Sequence, residues 1–141
     1  MSLGLALQLV GASLVALSLF HMVLSRSLGW NHEAARLSPL NARIFMVHAF
    51  FVAFVLLGLG LLSLMRPDLL LAQSDLGRLL LGGILLFWVA RLLAQLLVFD
   101  SVMRTGWTGS LVLRAGAMLL WAIYVIVYGA AFLNQLRGLN L

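Results

Sequence analysis

Four predominantly apolar runs of about twenty residues decide most of what this chain can become: residues 3–24, 44–65, 79–99 and 111–133, none containing an aspartate or glutamate. A helix rises about 1.5 Å per residue, so each run is long enough to cross a hydrocarbon layer of about 30 Å. Backbone groups in lipid must find their hydrogen bonds within the chain, and helices are the form that lets each run do so alone. The expected fold is therefore an all-α membrane protein: an antiparallel four-transmembrane-helix bundle forming a single domain over residues 1–141, with little chain outside the bilayer. Composition agrees, with 64% hydrophobic and only 9% charged residues. A soluble domain carries about 25% charged residues.

The first run has no basic segment before it and no small-residue cleavage pattern after it, so it is expected to be a retained span rather than a signal peptide. Start signals accompany the later runs. Ser38-Pro39 offers an N-cap followed by proline at the first helical position, and Ser74-Asp75 offers a cap with an acid in the first turn. The longest connection, residues 25–42, is expected to hold a short interfacial helix at residues 32–37, capped by Asn31 and lying beside Trp30. Connections at residues 66–78 and 100–110 are short.

All nine basic residues are arginines, giving a net charge of +5. They are scattered over helix ends, which suits headgroup anchors and excludes a nucleic-acid face. Arg26, Arg36, Arg43, Arg104 and Arg114 fall on the side of loops one and three; Arg66, Arg78 and Arg137 fall on the other. The positive-inside rule then predicts a bacterial inner-membrane protein with loops one and three cytoplasmic and the termini periplasmic.

Small residues mark where helices approach closely in a bilayer. Gly4, Gly11 and Ser18 recur every seven residues, as do Ala115, Ala122 and Gly129, and both sets are expected to lie in packing seams. Ala49/Ala53 and Gly83/Ala90/Ala94 are the corresponding candidates on the second and third spans. Seven-residue repeats imply left-handed packing of near-antiparallel helices. Gln8 is expected to make an interhelical hydrogen bond.

The informative residues are the few polar ones within the spans. His21, His48 and Gln95 each lie five residues inside Arg26, Arg43 and Asp100, so all three sit about 8 Å below one membrane surface. Arg91 is one turn deeper, and Trp88, Arg91 and Gln95 share a helical face. Trp121 reaches the depth between Gln95 and Arg91. A guanidinium within a span is costly unless it faces the protein interior and finds a partner. Because every acid (Glu33, Asp68, Asp75, Asp100) lies in a connection, its partner is Gln95, a carbonyl, a loop acid, lipid phosphate or a ligand. The ligand-binding candidates are thus His21, His48, Arg91, Gln95, Trp88 and Trp121.

Two chemistries suit this layer besides histidines simply bonded to backbone. His21 and His48 at equal depth are what bis-histidine ligation of haem b requires, with Arg91 available to a propionate. Histidine, arginine and glutamine also suit the carbonyl oxygens of a quinone. The aromatic stripe Trp121, Tyr124, Tyr128 is expected to pack against a partner or lipid. Catalytic residues are not expected. His32-Glu33-Ala34-Ala35-Arg36 approaches the H-E-x-x-H zinc pattern but has arginine at the second ligand position. No phosphate-binding glycine loop or nucleophile elbow is present. The absence of cysteine removes thiolate chemistry.

His21 late in the first span, the stretch Leu37-Ser38-Pro39-Leu40-Asn41 leading to His48, and Phe87-Trp88-x-x-Arg91-x-x-x-Gln95 resemble small four-span bacterial membrane proteins of uncharacterised function, over essentially the whole chain. A looser resemblance is to four-helix cytochrome b membrane subunits. Those carry histidine ligands at two depths, whereas this chain has one intramembrane pair, so the resemblance implies at most one haem. The reading reached from sequence is a small accessory subunit of a larger membrane assembly, with a polar site that binds lipid, quinone or a partner subunit. The alternative is a haem- or quinone-binding redox protein. Expected partners are membrane lipid and other membrane subunits or a second copy.

Overall fold

The computed structural model describes residues 2–27, 36–99 and 108–137, without the side chains of residues 22–27, 99, 108–111 and 113. Five α-helices are present among them: α1 Leu3–Ser27, α2 Pro39–Met65, α3 Pro67–Leu71, α4 Asp75–Ala94 and α5 Thr108–Arg137, with a π-helical turn, Gln95–Phe99, continuing α4. α1, α2, α4 with its π turn, and α5 are the four helices long and apolar enough to cross a membrane.

Both capping signals operate. The Ser38 hydroxyl accepts from the Asn41 amide at 3.4 Å with Pro39 opening α2, and Ser74 accepts from the Gly77 amide at 3.0 Å. Asp75, in the first turn of α4, pairs with Arg78. The short connection between spans two and three holds a helix of its own, α3, begun by Pro67. Most of the expected interfacial helix lies outside the described residues; Arg36 and Leu37, at its end, form a turn and a bend before Ser38.

The chain divides into two compact units, residues 7–67 and residues 68–141 with 1–6. Each contains one main helix pair. In residues 7–67, α1 buries Leu7, Gly11, Leu14 and Ser18, and α2 buries Ala53, Leu56, Gly60 and Ser63. These are alternating steps of three and four residues, the pattern of a knobs-into-holes seam. Contacts run from Gln8 and Gly11 against Leu64 to Ser18 against Ala53, so rising numbers on α1 meet falling numbers on α2. A Cβ placed on Gly11 would lie 2.5 Å from the Leu64 nitrogen and 2.7 Å from the Gly60 oxygen, and one on Gly60 would lie 2.9 Å from the Val15 nitrogen. Backbone is thus packed on backbone, and only glycine fits at either position. Beside this approach the Ser18 hydroxyl donates to the Ala53 carbonyl at 2.7 Å, and Gln8 makes its expected bond to the Leu64 carbonyl at 3.4 Å.

The other pair is built differently. α4 buries Gly77, Leu81, Ile84 and Trp88, and α5 buries Trp121, Tyr124, Tyr128, Ala131 and Gln135. Gly82 meets Phe132, Leu85 meets Gly129, and Trp88 meets Tyr124 and Trp121, again with opposed numbering. Large aromatic side chains fill the space between these helices, so small residues are not needed there. The buried face of α5 is accordingly rotated by one residue from the face of Ala115, Ala122 and Gly129. Ala115 is exposed, while Ala122 and Gly129 are half-buried beside the seam. On α4, Gly83 and Ala90 face outward, with open space around Gly83. At the end of α5, Gln135 is fully buried and its amide donates to the carbonyls of Leu70 and Ala72, both at 2.7 Å. Gln73 returns a bond to the Asn134 carbonyl at 3.1 Å. The turn between α3 and α4 is thereby fastened to α5.

Candidate functional site

The polar face expected on the third span is present. Trp88 and Gln95 are buried at 1% and 4% exposure, and Arg91 between them is half-buried. One turn separates Arg91 from Gln95, which lets the guanidinium Nη1 donate to the Gln95 side-chain oxygen at 3.3 Å. Across the pair, the Arg91 guanidinium carbon lies 4.9 Å from the centre of the Trp121 ring, a cation–π contact. Trp121 is stacked on Trp88 with centroids 5.4 Å apart and planes 20° from parallel, and Tyr124 meets Trp88 edge-on at 4.5 Å. Depth counted along the chain therefore brings Trp88, Arg91, Gln95 and Trp121 together in one cluster.

The backbone changes character at the same place. The Gln95 amide is shared between the carbonyls of Arg91 and Leu92, and the π turn starts at Gln95. Such turns are rare and recur at functional sites, because widening the helix redirects the side chains it carries.

The indole N–H groups of Trp88 and Trp121 are both buried without a hydrogen-bond acceptor, although Trp121 as a whole is only 7% exposed. A buried donor left unmade costs about 1–3 kcal/mol, and here two occur on stacked rings. The two unsatisfied groups are both donors, so the cluster is suited to a group that brings acceptor oxygens.

The histidines belong to the other helix pair. His21 is half-buried, three residues beyond Ser18 on the α1 seam. His48 is exposed; the next seam position on α2 after Ala53 is the half-buried Ala49. His48 thus stands one residue, or about 100° of helix rotation, from that seam position. No group of three metal-ligating side chains occurs among the described residues. The aromatic stripe Trp121, Tyr124, Tyr128 is buried against α4 rather than turned toward lipid. Gln135 was not anticipated; its signal was the seven-residue series Trp121, Tyr128, Gln135.

Fold and site together define a multi-pass helical membrane protein carrying a donor-rich cluster within one helix pair. No family model, curated protein or solved structure matches the chain.

Proposed function

We propose that this chain is a small accessory subunit of a larger membrane assembly that binds the headgroup of a membrane amphiphile at Trp88, Arg91, Gln95 and Trp121. The observation that carries this reading is the pair of buried indole N–H groups without acceptors on two stacked rings, one of them under the Arg91 guanidinium. An amphiphile whose head presents acceptor oxygens would supply what the two indoles lack. Binding, rather than catalysis, accounts for the residues present: among the described residues the cluster has donors and aromatic surface but no carboxylate base.

The reading keeps the antiparallel four-helix bundle expected from the short connections. It also keeps the bacterial inner-membrane setting, with loops one and three cytoplasmic on the arginine bias. Native mass spectrometry after gentle extraction tests it. A stoichiometric amphiphile should accompany the wild-type chain and be lost from the Trp88→Phe/Trp121→Phe variant, which keeps both ring stacks and removes both N–H donors. A wild-type chain that emerges without any bound amphiphile refutes the reading.

A further inference from the structure

We infer that α2 is the surface through which two copies of this chain associate, with His48 of one copy hydrogen-bonded to His48 of the other. The association is independent of the headgroup site. Apolar side chains turned outward say little in a membrane, because lipid suits them. An imidazole turned outward is different. His48 is exposed, five residues inside Arg43 and four short of Val52, the middle residue of α2. It therefore lies about 8 Å below the arginine and about 6 Å from the helix centre. Ionisable side chains at such depth almost always face other protein or a water-filled cavity. Among the described residues His48 has no hydrogen-bond partner.

α2 is the least buried of the four spans, and all six residues from Arg43 to His48 are exposed. Six residues pass more than once round a helix, so α2 is open on every side there. One side is patterned. Ile44, His48, Phe51 and Val55 follow at steps of four, three and four, and all are exposed. They lie on a different side from Ala53, Leu56, Gly60 and Ser63, which α2 buries in its seam with α1. This alternation is that of a second knobs-into-holes seam.

Symmetry and hydrogen bonding select a second copy as its occupant. Copies inserted in the same orientation meet about a twofold axis along the membrane normal, so α2 meets α2 in parallel and each residue faces its counterpart at equal depth. A neutral imidazole carries one N–H donor and one acceptor nitrogen, so two of them complete an N–H···N bond. The strip holds no arginine, and a chain of net charge +5 meets its copy there without opposing like charges. A single polar residue in such a seam fixes both register and the number of helices.

The chain contains no cysteine, so single cysteines introduced into the full chain report proximity between copies directly. Copper–phenanthroline oxidation of native membranes should give a disulfide-linked dimer from Ile44→Cys, Phe51→Cys and Val55→Cys. Phe50→Cys is exposed at the depth of Phe51 but turned by about 100°. Because a disulfide needs Cβ atoms about 3.5–4.5 Å apart, it should cross-link about tenfold more slowly or not at all. Equal rates from Phe50→Cys and Phe51→Cys, or no dimer from any of the three strip positions, overturns the inference. A cross-link from the strip to a protein of different mass identifies another subunit as the occupant and overturns it too. Energy transfer between labelled copies in phospholipid vesicles then gives the affinity. His48→Leu should weaken association about three- to twentyfold with helical circular dichroism retained. His48→Gln, which keeps a donor and an acceptor, should recover most of that loss. Unchanged association in His48→Leu removes the imidazole from the interface and sinks the proposal.

Discussion

Replacing Gly11 by alanine is the sharpest test of how residues 7–67 are held together. The added Cβ would lie 2.5 Å from the Leu64 nitrogen, 2.7 Å from the Gly60 oxygen and 2.9 Å from the Leu64 Cα, where ordinary contact begins at 3.4 Å. The largest shortfall is 0.9 Å, and all three neighbours are backbone atoms that no rotamer change can move. α1 and α2 must therefore separate by roughly 0.5–1 Å, a gap that forfeits a quarter to a half of each dispersion well it opens. Overpacking of this kind costs about 1–3 kcal/mol. The same separation stretches the Ser18–Ala53 bond from 2.7 Å, putting at risk an interaction worth about 0.6 kcal/mol in a membrane. Alanine also stiffens the helix relative to glycine, a gain of up to about 1 kcal/mol. Gly58→Ala isolates that gain, because nothing lies within 4 Å of a Cβ there. Reversible unfolding in mixed detergent–SDS micelles, followed by far-ultraviolet circular dichroism, should show Gly11→Ala less stable than Gly58→Ala by about 1–3 kcal/mol. Equal stabilities within about 0.5 kcal/mol would refute backbone contact as the organising feature of this pair.

Other perturbations separate packing from binding. Ser18→Ala should lower stability by about 0.6 kcal/mol in the same unfolding assay, with about 1.7 kcal/mol as the upper bound. Gln135→Leu leaves the carbonyls of Leu70 and Ala72 without their donor, and should cost about 1–3 kcal/mol and speed proteolysis in the turn at residues 72–74. Trp88→Ala should cost about 3–5 kcal/mol by removing a fully buried ring from between Trp121 and Tyr124. Trp88→Phe should cost less than Trp88→Ala, since an aromatic ring is kept and the lost N–H has no acceptor among the described residues.

How much of this was legible beforehand depends on what lipid does to sequence patterns. Run length and the absence of acids in the runs determined the four spans, because a helix must keep charge out of about 30 Å of hydrocarbon whatever it packs against. Local chemistry determined the helix starts at Pro39 and Asp75, since a cap depends only on residues within one turn. The shared face of Trp88, Arg91 and Gln95 follows from helical periodicity alone, and the matching depth of Trp121 from residue counting. Which face of an apolar helix turns inward is another matter. In water, alternation of polar and apolar residues reveals it; in lipid both faces are apolar and the signal vanishes. Small residues pointed correctly to Gly11 and Ser18, where two backbones touch, and missed the buried face of α5 by one residue, where aromatic rings fill a wider gap. Only tertiary structure decided that rotation. Tertiary structure also decided the exposure of His48, the anchoring of the α3–α4 turn by Gln135 and the burial of two indole donors without acceptors. Each of these depends on what lies opposite a side chain, which no spacing along one chain records.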